Sequence, residues 1–171
     1  MQRETIALVK RNIRFSDAIL QRAQAEQSFV RLALIHAAAG ELSVALSYYL
    51  SGSLNDSVVF TSVREPSYYE AQFLMALGET PAVSEISVLL KDPTSWLSRL
   101  IKLSKSLHSL REAASQPHVS ASSSSNIIAV STSDQHSTDL HWTKADGREL
   151  EALLVEFSSF VETHEGLQVE Y

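Results

Sequence analysis

Apolar residues recur at helical spacing along most of the chain, and no alternating strand pattern runs for long. In the first segment Ile6, Val9, Ile13 and Leu20 fall on one stripe, with Ser16 in its gap. Leu8, Phe15 and Ile19 widen the stripe, while bases occupy the other face. The spacing predicts an amphipathic helix from about Thr5 to Ala25. The second segment, "SFVRLALIHAAAGELSVALSYYL", is apolar nearly all round, which predicts a central helix with neighbours on several sides. Its middle, Ala37–Gly40, carries only small side chains. They let a neighbouring helix approach closely or, alternatively, leave a cleft. Gly40 costs a helix interior about 1 kcal/mol relative to Ala, which marks a place where the helix can kink.

Beyond "SGSLNDS", a loop by composition, "VVFTSV" (Val58–Val63) reads as an extended loop or a short helix. Helix starts are then signalled by caps. Ser67 with Glu70 fits a capping box, opening a helix that holds Phe73, Leu74 and Leu77 and stops at Gly78. Thr80–Pro81 places a proline where its missing N–H costs nothing, and Val83, Ile86, Leu89 and Leu90 follow. Asp92–Pro93 repeats the arrangement ahead of the clearest helix. In it Trp96, Leu100, Leu103, Leu107 and Leu110 recur as 4, 3, 4, 3, with Arg99, Lys102 and Lys105 off the seam. From Ser115 the pattern fails in "SQPHVSASSSS" and resumes at Thr143, whose spacing to Asp146 gives another capping-box candidate. Leu150, Leu153, Leu154, Phe157, Phe160 and Val161 make one face of a last helix.

A lone amphipathic helix cannot bury its own apolar face, so the C-terminal piece must fold back onto the rest. The expectation is one all-α domain over 1–171, a bundle of five to six helices, its first two the longest and antiparallel. The serine-rich stretch, about 115–142, is then a long surface loop. Its apolar knot, Ile127–Val130, would pin onto the bundle.

Charge refines this picture. The net charge is −6, which weighs against nucleic acid as a partner. From Met1 to Arg31 there are six bases and three acids; from Arg99 to Arg111 four bases and no acid; from Asp134 to Tyr171 nine acids and two bases. The basic segments, Lys10–Arg14 and Arg99–Lys105, and the acidic tail can neutralise one another inside one bundle. The alternative is a basic face for an anionic partner. Cysteine is absent, which excludes disulfides and thiolate metal sites. Lys10, Arg11 and Arg14 interrupt the N-terminal apolar residues, unlike a signal peptide. The most apolar stretch, Phe29–Leu50, contains Arg31, His36 and Glu41, short of the roughly 20 uninterrupted apolar residues of a membrane span. A cytoplasmic protein is expected.

Four features together resemble a proteobacterial family of small helical proteins carrying a domain of unknown function. They are the near-apolar second helix ending "ELSVALSYYL", the "LLKDPTSWLSRL" junction at Leu89–Leu100, the isolated "NIIAVS", and the closing amphipathic helix. The resemblance covers most of the chain, and its most specific element is Asp92–Leu97. It implies the order of helices and no activity.

Candidate chemistry is sparse. "DQHSTDLH" holds Asp134, His136, Asp139 and His141, all able to ligate a metal, but a loop gives them no preorganisation, and no metal or other cofactor is expected. The chain has no Gly-x-Ser-x-Gly elbow, no Gly-rich phosphate loop and no paired Glu-x-x-His. "RLALIH" resembles the Arg-x4–6-His motif of HEPN ribonucleases, which would make Arg31 and His36 a catalytic pair acting on an RNA phosphodiester. At 100° per residue the two lie about 140° apart, and Leu32 replaces the polar residue that often follows that Arg. Tyr48–Tyr49 and Tyr68–Tyr69 read as core. The alternative is that Gly40, Tyr48 and Tyr49 bind a small molecule in a cleft near Ala37–Gly40. The leading expectation is a non-enzymatic helical module that binds an unknown protein partner or a second copy of itself.

Overall fold

The computed structural model describes residues 3–54, 64–75, 81–115 and 147–168. Those residues form six helices and no strand: α1 (Arg3–Gln24), α2 (Ser28–Ser53), α3 (Pro66–Met75), α4 (Pro81–Lys91), α5 (Trp96–Ser115) and α6 (Gly147–Gln168). The all-α bundle is as expected. The longest helix is α2, with 26 residues, and α6 equals α1 at 22. The stretch Val58–Val63, read as an extended loop or a short helix, the serine-rich stretch, the Ile127–Val130 knot, Gly78 and the Thr143–Asp146 box lie outside the described residues.

Helix α1 turns into α2 through three residues, with Ala25 and Glu26 N–H groups donating to the Arg22 and Ala23 carbonyls. So short a connection forces an antiparallel hairpin. Ser16, the polar residue in the α1 stripe, is fully buried and donates to the Ala38 carbonyl at 2.9 Å. Ala38 and Ala39 have no exposed surface, so small side chains admit α1 close enough for this bond. Helix α2 runs unbroken through Gly40 and packs against α1, α3, α5 and α6. Its neighbours satisfy the predicted central position.

One core joins these elements. Leu42, Leu46 and Tyr49 of α2, Phe73 of α3, Ile86 of α4, Leu97, Leu100 and Ile101 of α5, and Leu153 and Phe157 of α6 are essentially inaccessible. Tyr49 meets Phe157 edge-on at 5.8 Å, and Trp96 stacks on Phe157 at 5.3 Å. Hydroxyls line the helix crossings. Ser43 pairs with Ser104 between α2 and α5, and Ser87 of α4 donates to the Phe73 carbonyl of α3.

Two helix starts differ from the sequence reading. Pro66, not Ser67, opens α3, because its fixed φ suits the first helical position. Glu70 is then too far along to close a box and instead pairs with Lys105 at 2.7 Å. The α5 cap is Ser95, not Asp92. The Ser95 hydroxyl accepts from the Ser98 N–H at 3.1 Å and donates to the Leu89 carbonyl at 2.6 Å, tying α4 to α5. Asp92 caps the turn before it, accepting from the Thr94 hydroxyl and N–H. Those two bonds, hydroxyl first, hold its carboxyl below the usual carboxylate range.

Candidate interaction face

The charge segments neutralise one another in part within the bundle. Lys10 pairs with Glu165, and Arg99 with Glu149 at 2.6 Å. Each joins a predicted basic segment to the acidic last helix. Arg3, Arg11, Arg14 and Arg22 of α1 and Arg31 of α2 are exposed, as are Lys91, Lys102, Lys105 and Arg148 on the other helices, and Arg22 pairs with Glu26 at 2.6 Å.

The Arg31–His36 pair is not drawn together. Five residues of unbroken helix separate them, so they project about 140° apart, as the spacing requires. Arg31 is exposed and lines a cleft of about 200 Å³ with Leu20, Gln24, Ile35, Arg148 and Glu151. His36 is half-buried and is not among that cleft's lining residues. In the cleft wall Gln24 donates to Glu151 at 2.7 Å. A second cleft, of about 100 Å³, lies between Lys10, Arg14 and Glu162. Neither is lined by Ala37–Gly40.

The aromatic candidates divide. Tyr49 is sunk in the core against Phe157, Phe160 and His164, and burial pushes its phenol well above its ordinary pKa. Tyr48, one residue earlier and about 100° round the helix, is half-buried and packs against the edge of the core. Gly40 is also half-buried. His164 is buried beside Tyr49, contacting the Phe160 carbonyl at 3.0 Å and Glu85 at 3.0 Å. Among the described residues no cluster of three metal-ligating side chains occurs. Asp134, His136, Asp139 and His141 lie outside those residues.

What the sequence reading missed is the outward side of the α1–α2 hairpin. On α2, Val30, Ala33, Ala37, Gly40, Glu41, Val44 and Tyr48 fall within an arc of about 100°, opposite Leu42. Val30 is 50% exposed, Ala33 and Ala37 are exposed, and the rest are half-buried. The Ser16–Ala38 bond fixes the register of α1 beside this arc. It brings Leu8, Phe15 and Ile19 to the same side, with Phe15 51% exposed. Phe29, in the first turn of α2, is 79% exposed. Glu41 is the only charge in the α2 arc. The outer side of α6 is the contrast: Glu151, Ala152, Val155, Glu156, Ser159, Glu162 and Thr163 make an ordinary solvated face with one bare valine.

By length and composition Phe29–Ser53 could also cross a membrane, with a mean hydropathy of 1.5 and 33% of its most apolar window buried. The apolar excess was legible in the all-round composition of the second segment. Which side would remain open was not, because a helix apolar on every side carries no directional signal.

Compared with family models, curated proteins and solved structures, the chain finds no match in any of the three.

Proposed function

We propose that the protein is a non-enzymatic helical interaction module of the cytoplasm, docking through the outward side of the α1–α2 hairpin. One observation carries this reading: Phe29, Val30, Ala33 and Ala37 in the first half of the apolar helix α2 are exposed, and so is Phe15 of the neighbouring α1. Contiguous exposed apolar surface of that extent marks an interaction site, whereas scattered single residues do not. A catalytic reading has no comparable support, since Arg31 and His36 diverge and no other nucleophile–base pair is assembled among the described residues.

The test is the stability of Val30→Glu and Val44→Glu at sub-micromolar protein. If the face is free in the monomer, a new carboxylate there meets water, and the melting temperature stays within about 2 °C, the range of surface changes. A large, concentration-independent fall would mean that the face is covered within one chain, and would overturn the reading.

A further inference from the structure

We draw no further inference here: the strongest candidate, the exposed apolar side of the α1–α2 hairpin around Phe15, Phe29 and Val30, belongs to the interaction face already described, and nothing in the structure shows what covers it.

Discussion

Phe157 of α6 is buried between Tyr49 of α2 and Trp96 of α5, and its truncation tests the core directly. The ring has no exposed surface. It stacks on Trp96 at 5.3 Å with planes 23° apart and meets Tyr49 edge-on at 5.8 Å and 88°. Phe157→Ala removes the transfer energy of the ring and leaves a cavity between α2, α5 and α6. Such changes cost about 3–5 kcal/mol. The two aromatic contacts, worth about 0.5–1.5 kcal/mol each beyond area, favour the upper part of that range. For a chain of 171 residues each kcal/mol lowers the melting temperature by about 2–4 °C, so the expected fall is about 6–20 °C. The assay is thermal unfolding followed by circular dichroism at one fixed low concentration, because self-association would make the midpoint concentration-dependent. Val155→Ala, two residues away and 64% exposed, is the control. A Phe157→Ala shift no larger than the Val155→Ala shift would refute the docking of α6 into the core.

Other expectations follow from single contacts. Ser95→Ala removes the α5 cap and a bond to the Leu89 carbonyl and should cost about 1–2 kcal/mol by urea denaturation, against near zero for Ser106→Ala on the exposed side of α5. A double-mutant cycle on Arg99 and Glu149, each about one-third exposed, should give a coupling of about 0.5–1 kcal/mol that shrinks in high salt. The Asp92 carboxyl should titrate below 3.8 by NMR, and Thr94→Ala should raise its midpoint without restoring it fully, since the Thr94 N–H remains. Because the folded value is depressed, any stability from this group is present above 3.8 and lost as pH falls through the folded value; a midpoint unmoved by Thr94→Ala would contradict the assignment. A protease site introduced between Gln116 and Asn126 should yield two pieces that stay together on gel filtration, held by Leu150, Leu153 and Phe157; separation after cleavage would argue against one bundle.

The legible parts of this fold are those with a strong directional pattern. The stripe Ile6–Val9–Ile13–Leu20 and the seam Trp96–Leu100–Leu103–Leu107 both turn inward as their spacing requires. Cap positions were less legible. Ser67 and Asp92 match cap chemistry, but Pro66 starts α3 a residue earlier and Ser95 captures the α5 start, being able both to accept from Ser98 and to donate to Leu89. The serines at helix crossings, such as Ser16 and Ser87, look like pattern breaks in sequence. They are buried because each hydroxyl meets a carbonyl of its neighbour. The candidate site was the least legible part. Arg31 and His36 draw the eye as chemistry, whereas the open side of α2 is made of Val30, Ala33, Ala37 and Val44, residues that are ordinary core formers in any list. Only the placement of the other helices leaves them outward.

The functional claim reduces to whether that side of α2 is open in the single chain. Thermal unfolding of the wild type beside Val30→Glu, at sub-micromolar protein, decides it. The two melting temperatures should agree within about 2 °C, because the new carboxylate meets water. A fall of the size expected for Phe157→Ala would contradict the account.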